Sequence, residues 1–450
     1  MAQISIVRKS QLEGAMRLDA EYYQPKYLRI MEALQALGAV PLSDVAKPMK
    51  RKFKPNENPF NYIEIAEVDI GTGATNATEI DGMEAPSRAQ WIVREGDVII
   101  STVRPARNAV ALIGNGEDGF VCSSGFAVLR SDKTSSEFLF AYLKTGIVAS
   151  LLDRKTTATM YPAVSWDDVL SLPVVLPDPD TERFISNKVK ESRQRLKDSE
   201  SLYLQAEQRL LDELGFKELD LSHQLHYTVP FQKTREANRL DAEHFQPRCE
   251  RLLQHLVSTG KSDLLGNLVA QPIKRGLQPT YVEGGEIIVV NSKYVGKQFV
   301  NIEQAERTDL EFWQVSRRAQ AKKYDVIMNS TGWGTIGRAN CILHEQKTVV
   351  DNHVTIIRCD EGRCNPVYLA VFLNSKLGQI QTEKWLSGSS GQIEIYPADI
   401  ARYVVYLPPT KFQHRIADLV TQSWEACQKA RQLLEEAKHK VEAIIEGKAS

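Results

Sequence analysis

Residues 17–25 read RLDAEYYQP, and residues 239–247 of the same 450-residue chain read RLDAEHFQP. Seven of the nine positions are identical, and the other two replace tyrosine with histidine or phenylalanine. Self-similarity over such a stretch indicates that one scaffold has been duplicated within the chain.

Shorter matches follow each nonapeptide in the same order along the chain. Between these matches the two halves differ in sequence, as expected where the loops of one fold have diverged. The sequence therefore predicts two similar scaffolds that carry different side chains on their surfaces. The matched pairs are Pro48-Met49-Lys50-Arg51 with Pro272-Ile273-Lys274-Arg275, Asp97-Val98-Ile99 with Asp325-Val326-Ile327, Tyr161-Pro162 with Tyr396-Pro397, and Leu176-Pro177 with Leu407-Pro408.

Each half of the chain has two parts of different character. The first part mixes short apolar runs typical of strands, such as residues 98–100 and 354–357, with helical stretches. The second part, residues 181–214 and again 412–445, lacks proline and is rich in helix-favouring charged residues. The predicted fold class is α+β (mixed α/β), with two similar globular domains separated by two long helices in a pseudo-twofold internal repeat.

Both long stretches carry mostly apolar residues at alternating spacings of four and three, which is the heptad pattern of a coiled coil. As a helix, each stretch would span roughly 50 Å. We expect the two helices to pack as an antiparallel coiled coil; the alternative is that each helix packs separately on its own domain. The predicted seam residues are Ile185, Val189, Leu196, Tyr203 and Leu210 in the first stretch and Ile416, Val420, Leu434 and Val441 in the second.

Composition limits the class of protein. The net charge is -1, so any binding of a polyanion must come from local patches rather than from an overall field. No apolar window approaches the roughly 18 residues of a membrane helix, and the N-terminus has no signal-peptide core, so we expect a cytoplasmic protein. The six cysteines form no C-x-x-C pair, which predicts reduced, buried thiols and no metal site.

A basic run follows the first nonapeptide. Residues 47–54 (KPMKRKFK) carry five cations and no acid, among them Lys50, Arg51, Lys52 and Lys54. The second half keeps cations at the matching place, in Lys274-Arg275. Cations on a loop neutralise phosphates, and two related units in one chain suit a bipartite DNA site. The alternative is a solvated surface loop.

A G-x-G-x-x-G pattern occurs at residues 330–337 (STGWGTIG), after an apolar run. A nucleotide-binding loop requires a helix directly after the glycines, so that the helix N-terminus faces the phosphates. Here a short segment with strand character follows, and the matching turn in the first half, residues 102–108, has no glycine. We therefore predict a β-hairpin whose glycines permit the turn.

Candidate catalytic residues are weak. Asn365-Pro366-Val367-Tyr368 is similar to the Asn-Pro-Pro-Tyr of amino-methyltransferases, but valine replaces one proline, and proline is common in the first turn of a helix. We predict a helix start there. His353 lacks a nucleophile at suitable spacing, so a polar residue on a strand is the preferred interpretation. The sequence predicts no catalytic residue and no cofactor or metal site of its own.

Several loose motifs occur in a defined order over essentially the whole chain. They are the two nonapeptides, the strand and turn at residues 96–105 (GDVIISTVRP), its counterpart at 324–328 (YDVIM), residues 388–393 (GSSGQI) before Tyr396-Pro397, and residues 407–409 (LPP) followed by 413–416 (QHRI). In this order and duplication the chain resembles the specificity subunits of Type I restriction-modification enzymes. The first half departs from the pattern, with TTATM at residues 156–160 and ERFI at 182–185.

The resemblance implies a noncatalytic subunit in which each of two target-recognition domains reads one half of a split, asymmetric DNA sequence. It implies docking of two methylation subunits and, through them, restriction subunits, with S-adenosylmethionine, ATP and magnesium bound by those partners only. A noncatalytic protein–protein scaffold is the alternative. The expected domains are 1–178 and 237–409 for recognition, 179–215 and 410–447 for the spacer helices, and 216–236 for the linker. Within the recognition domains, further candidates to face DNA are Arg104, Arg107, Trp333, Arg338, Asn352, Ser389 and Gln392.

Overall fold

The computed structural model describes residues 4–9, 12, 17–156, 160–216, 219–388 and 393–446. The chain divides into two compact units. Unit 1 comprises Met1–Lys197 with Cys427–Ser450, and unit 2 comprises Asp198–Ala426. Each unit contains both helices and sheets, so the fold class is mixed α/β. Within the described ranges, none of the helices has the length and apolar character needed to cross a membrane.

Unit 1 is built on two four-stranded sheets, with strand orders β2-β9-β6-β7 and β4-β3-β8-β5, and a small β1-β10 pair. The strands are β1 Val40–Pro41, β2 Ala46–Pro48, β3 Phe60–Ile63, β4 Thr78–Ile80, β5 Ala89–Ile92, β6 Asp97–Ser101, β7 Val110–Leu112, β8 Val121–Ser123, β9 Phe126–Ser131 and β10 Pro173–Val174. The helices are α1 Pro25–Ala36, α2 Ser136–Leu143, α3 Gly146–Lys155, α4 Trp166–Leu170 and the long α5 Pro179–Glu213, whose later turns belong to unit 2.

The central strands of unit 1 are apolar on both faces because each face packs against a hydrophobic core. Val98 and Ile100 of β6 pack into the core that includes α2, whereas Ile99 packs into a second core with residues of β3 and β8. This alternation is the two-residue period of a strand. It explains why the run at residues 98–100 has no polar position.

Unit 2 has sheets of order β12-β19-β16-β17 and β14-β13-β18-β15 and a β11-β20 pair. Its strands are β11 Ser262–Leu264, β12 Lys274–Arg275, β13 Ile287–Val290, β14 Glu306–Thr308, β15 Gln320–Ala321, β16 Val326–Asn329, β17 Ala339–Cys341, β18 Thr348–Val350, β19 Val354–Ile357 and β20 Val404–Tyr406. Its helices are α6 Phe231–Ala237, α7 Pro247–Ser258, α8 Leu310–Val315, α9 Pro366–Asn374, α10 Lys376–Trp385, α11 Pro397–Ile400 and α12 Thr410–Ile445, whose later turns belong to unit 1.

The two units have the same strand order when their strands are counted along the chain. Each sheet of unit 1 becomes the corresponding sheet of unit 2 when ten is added to every strand number. In both units the only parallel neighbours among the described strands occupy the same place, β3 with β8 and β13 with β18. The helix predicted at Asn365-Pro366 is confirmed, since the Asn365 side chain caps the first turn of α9. The predicted linker at residues 216–236 contains the start of α6.

Segments of the two long helices contact each other within each unit. In unit 1 the Lys188 ammonium lies 2.6 Å from the Glu436 carboxylate, and the Ser192 hydroxyl donates to the carbonyl of Ala430 at 2.7 Å. In unit 2 the hydroxyl of Ser423 donates to the carbonyl of Ser199 at 2.5 Å. In unit 1, moving forward along α5 means moving backward along α12, so these segments run antiparallel.

Eight of the nine predicted seam residues belong to the hydrophobic core of their own unit. Leu196 is half-buried. The other eight are buried: Ile185, Val189, Tyr203, Leu210, Ile416, Val420, Leu434 and Val441. The helix segments therefore pack both on each other and on the domain cores, a combination of the two arrangements considered from the sequence. Regular coiled-coil packing stays a prediction.

Candidate nucleic-acid interface

The first copy of the nonapeptide clamps the end of a helix. The Arg17 guanidinium lies 2.5 Å from the Asp19 carboxylate and donates to the carbonyl of Thr156, directly after α3, at 3.1 Å. In return, Arg154 of α3 donates to the carbonyl of Tyr22 at 2.8 Å. The hydrogen bond from Arg17 lowers the pKa of Asp19. Cations suit the carbonyls at a helix C-terminus, so this clamp is structural.

The second copy makes the same clamp. Arg239 donates twice to the Asp241 carboxylate at 2.8 Å and reaches the carbonyl of Leu386, directly after α10, at 2.5 Å. Lys384 of α10 donates to the carbonyl of His244 at 2.8 Å. In both units the repeated motif therefore joins the segment before α1 or α7 to the end of α3 or α10.

A buried aspartate organises the start of the central strand in unit 1. The Asp97 carboxylate is inaccessible to solvent and lies 2.6 Å from the guanidinium groups of both Arg51 and Arg130. It also accepts the backbone N–H of Arg94 at 2.8 Å. Arg51, a predicted DNA contact, is thus held by an ion pair within the protein.

Unit 2 repeats this arrangement with one change. The buried Asp325 carboxylate lies 2.6 Å from the Arg358 guanidinium and accepts the backbone N–H of Lys322 at 2.9 Å. Arg275, the counterpart of Arg51, pairs instead with Glu394 at 2.8 Å and donates to the carbonyl of Ile395. Arg275 is therefore also held within the protein.

Residues 49–54 of unit 1 form an extended segment beside β5. The Phe53 N–H donates to the carbonyl of Gln90, and the Ile92 N–H donates to that of Arg51, both at 2.7 Å. Alternate side chains of an extended chain face opposite sides. Met49, Arg51 and Phe53 are half-buried, whereas the others are exposed and form what we call the lysine row: Lys50, Lys52 and Lys54.

The lysine row keeps its charge available. Lys47, just before it, is paired with Asp132 at 2.8 Å. Within the described ranges, no carboxylate pairs with Lys50, Lys52 or Lys54. The Lys50 ammonium instead lies 5.3 Å from the centre of the Trp166 ring. Three neighbouring cations of this kind can neutralise successive anionic groups of a polymer.

The arginine turn, residues 104–108, follows β6. Arg104 and Asn108 both adopt left-handed backbone conformations, with φ of 48° and 55°. The Arg104 N–H donates to the carbonyl of Pro162 at 2.7 Å, and its guanidinium lies 5.6 Å from the centre of the Tyr161 ring. Tyr161 is 67% exposed. Arg107 is exposed on the same turn.

A buried lysine supports the arginine turn from behind. The Lys144 ammonium donates to the carbonyls of Ile70 at 2.9 Å and Asn108 at 3.4 Å, and the Asn108 side chain donates to the Lys144 carbonyl at 2.7 Å. Burial lowers the pKa of Lys144 to about 7, against the influence of the Asp69 carboxylate. The turn is thereby tied to the end of α2.

The glycine turn, residues 330–338, occupies the matching place in unit 2. Strands β16 and β17 on either side of it pair antiparallel, so the predicted β-hairpin is confirmed. Gly332, Gly334 and Gly337 have positive φ, which the turn requires. Trp333 is 78% exposed, and Arg338 is half-buried and donates to the carbonyl of Gly334 at 3.1 Å. Burial lowers the pKa of Arg338.

A polar cluster lies beside the glycine turn. The Tyr396 hydroxyl donates to Glu394 at 2.7 Å, and the Arg275 guanidinium lies 5.1 Å from the centre of the Tyr396 ring. Hydrogen bonds from Tyr396 and Arg275 lower the pKa of Glu394. The hydroxyl of Thr331 lies 2.8 Å from Nδ1 of His353, and Thr331 forms a backbone bridge with Glu394.

The remaining predicted site residues are dispersed. Asn352 is exposed beside His353, and Lys274 is half-buried on β12. Ser389 and Gln392 lie outside the described residues. Tyr161, Trp166 and Glu394 also lie among the candidate side chains and were not predicted as site residues from the sequence. A usable signal was present for the first of these, since Tyr161-Pro162 and Tyr396-Pro397 are among the duplicated matches.

In unit 1 two predicted cations share one neighbouring segment. The Arg104 guanidinium makes a cation–π contact with Tyr161 and the Lys50 ammonium makes one with Trp166, and these two aromatic residues lie close together in the chain. The predicted buried thiols are confirmed for Cys122, Cys249, Cys341, Cys359 and Cys364. Over the described ranges, no group of three or more His, Cys, Asp or Glu side chains could hold a metal ion. Cations and aromatic rings thus lie beside each other in unit 1.

No family model matches the chain. A curated relative, the specificity subunit of the Type I restriction enzyme HindI of Haemophilus influenzae, is 27% identical over 150 residues. The match covers 32% of this chain and 32% of that protein, so the chain matches about a third of the length of this relative.

Three solved structures align with most of the chain at low sequence identity and low TM-score. The HsdS subunit from Thermoanaerobacter tengcongensis is 20% identical with a TM-score of 0.34, over 91% of this chain and 96% of that one. The S subunit of the Type I restriction-modification system from M. genitalium is 12% identical with a TM-score of 0.39, over 91% and 94%. A chain from a structure of complex assembly in the type I R-M system is 18% identical with a TM-score of 0.34, over 91% and 97%.

Proposed function

We propose that this chain is a noncatalytic DNA-specificity subunit of a Type I restriction-modification system, in which each unit reads one half of a bipartite, asymmetric site. One observation carries the proposal. The two units share their strand order and the clamps at Arg17 and Arg239, yet equivalent turns carry unlike side chains. A duplicated scaffold with divergent surfaces suits two different half-sites in one duplex.

In this proposal unit 1 binds the duplex through cations on its surface. The lysine row supplies charge for phosphates, and Arg104 with Arg107 supplies guanidinium groups for phosphates or base edges. In unit 2 the corresponding candidates are Trp333 and Arg338 on the glycine turn, together with Asn352 and Lys274. Arg51 and Arg275 act as internal supports because their guanidinium groups are already paired.

The long helices α5 and α12 set the distance between the half-sites in this proposal and dock two methylation subunits, through which restriction subunits join. The antiparallel contacts between Lys188 and Glu436 and between Ser192 and Ala430 support the pairing on which a fixed spacer depends. S-adenosylmethionine, ATP and magnesium belong to the partner subunits. The assembly acts in the cytoplasm, where the chromosome is accessible to it.

Deletion and restoration of the gene in its host test the proposal. Methylated adenines are mapped across the genome of the parent, the deletion strain and the restored strain. We expect a bipartite motif that disappears on deletion and returns with the gene. A methylation pattern unaffected by deletion would contradict the proposal, and methylation or cleavage of DNA by the purified chain alone would contradict its noncatalytic role.

Gel-shift titration separates DNA specificity from the alternative of a protein–protein scaffold. The chain is purified from its host with the subunits that accompany it and titrated against duplex DNA at several salt concentrations. For a DNA-specificity subunit, we expect the logarithm of the affinity to fall steeply and linearly with the logarithm of the salt concentration. Absence of binding at low salt would favour the scaffold.

A further inference from the structure

We propose that Arg104, stacked on Tyr161, is the base-reading side chain of unit 1 and that the base it reads is guanine. This inference rests on the proposed function. It assigns different tasks to cations that the sequence could not distinguish. The lysine row holds phosphates, and Arg104 discriminates between bases.

The backbone conformation of Arg104 is unusual and supports a binding role for this residue. Its φ of 48° and ψ of 56° lie in the left-handed region, which residues with a Cβ atom seldom adopt. The conformation is imposed by its N–H bond to Pro162 and by the turn that begins at Pro105. Strained residues of this kind cluster at ligand-binding positions, where the surrounding structure fixes the direction of a side chain.

The position of the Arg104 guanidinium also supports this role. The guanidinium carbon lies 5.6 Å from the centre of the Tyr161 ring, a cation–π contact that leaves the N–H donors free to bind other groups. The ring itself is largely exposed, so the stacked pair is accessible from solvent. Within the described ranges, no carboxylate pairs with Arg104. A guanidinium without a carboxylate partner keeps its planar pair of N–H donors available to a ligand.

The arginine–tyrosine contact of unit 1 differs from that of unit 2. Tyr396, the counterpart of Tyr161, also carries a guanidinium on its ring, that of Arg275. There the group is paired with Glu394 and bonded to the carbonyl of Ile395, so its donor edge is used within the protein. Among the described residues, the guanidinium on Tyr161 in unit 1 has no carboxylate partner, whereas the guanidinium on Tyr396 in unit 2 has one.

The chemistry of the free edge selects the base. A guanidinium presents two parallel N–H donors, and guanine presents N7 and O6 as paired acceptors in the major groove. Adenine and the pyrimidines offer a donor or a single acceptor at the matching place. A bidentate donor therefore favours guanine over every other base.

Arg104→Lys separates base reading from phosphate binding. Lysine keeps the positive charge but lacks the planar fork, so it can still bind a phosphate. The chain, tagged and purified from its host with the subunits that accompany it, selects duplexes from a random library. Arg29→Lys, on the exposed face of α1, makes the same chemical change away from the turn and serves as the matched control.

The expected result is loss of the preference for guanine at one position of one half-site, by roughly 10- to 100-fold, with the other half-site unchanged as an internal control of folding. Arg29→Lys should select the same sequence as the parent. A bipartite motif that Arg104→Lys leaves unchanged, or weakens equally at all positions, would overturn the assignment to Arg104 and leave the proposed function standing. Failure of the parent to enrich any motif would overturn both.

Discussion

Arg51 lies 2.6 Å from the Asp97 carboxylate, which is fully buried at the start of the central strand of unit 1. This ion pair turns Arg51 inward, and the two-residue period of the extended segment then turns Lys50 and Lys52 outward. In this basic run Arg51 therefore supports the fold, and the neighbouring lysines face solvent.

Asp97→Asn tests the structural role of this carboxylate. The amide can keep the bond from the Arg94 N–H, but it leaves the guanidinium groups of Arg51 and Arg130 without their counter-charge. We expect the free energy of unfolding to fall by about 3 kcal/mol. Urea denaturation measures it, with Asp118→Asn, which removes the exposed ion pair to Arg94, as the control. Equal stability of the two variants would show that the buried pair contributes little.

Replacement of the lysine row tests its role in DNA binding. Each change of Lys50, Lys52 or Lys54 to glutamine should weaken binding about equally for all DNA sequences and reduce the slope of log affinity against log salt by roughly 0.9. Fluorescence anisotropy at several salt concentrations measures this slope. Lys47→Gln, in the same run but paired with Asp132, is the matched control and should change the slope less. Indistinguishable slopes for parent and variants would remove the lysine row from the interface.

Much of the fold was predictable because its signals are local or repeated. The duplicated nonapeptide, the proline-free stretches and the glycine hairpin are all visible in short windows of sequence. The role of Arg51 was not, because its partner Asp97 is 46 residues away and faces it only after the strands have paired. The run at residues 47–54 looks uniformly basic in sequence, and only the fold divides it into supporting and exposed cations.

The site was less predictable than the fold for the same reason. Arg104 and Arg107 are the same residue type and cannot be distinguished in the sequence, but of the two only Arg104 lies over an aromatic ring. That ring comes from Tyr161, on a segment that β6 reaches through the backbone bridge of Val103 with Ala163. No pattern of composition or periodicity indicates such a contact.

Stability should depend on pH through Lys144. Its pKa is about 7 in the folded protein and near 10.5 when exposed, so between these values the unfolded chain binds more protons. Stability must therefore rise with pH across that window. Lys144→Met removes this contribution, so the melting temperature of the parent relative to the variant should increase from about pH 7 to about pH 9.5.

The matched control for this titration is Lys133→Met, since Lys133 is exposed and its change should leave the pH profile as in the parent. The charged groups that act on Lys144 are Asp69, Glu435 and Lys438. Burial of Lys144 is the largest cause of its lowered pKa; the Lys438 cation lowers the pKa further, and the Asp69 and Glu435 carboxylates oppose the shift. Parallel melting profiles for the parent and Lys144→Met would contradict this interpretation.

The long helices should set the distance between the half-sites. Insertion of one heptad into both α5 and α12 preserves the repeat and lengthens each helix by about 10 Å, or roughly three base pairs of duplex. Selection from a random duplex library should return the same two half-sites with a longer spacer. Insertion into one helix alone displaces the seam and should impair folding. An unchanged spacer in the doubly extended variant would remove the helices from this role.

Exchange of residues 26–160 for those of a relative with a different recognition sequence tests most directly whether each unit reads its own half-site. The measurement is a genome-wide map of methylated adenines. If each unit reads its own half-site, one half of the methylated motif changes, while the other half and the spacer stay the same. A motif that is unchanged, or one in which both halves change, would contradict independent reading by the two units.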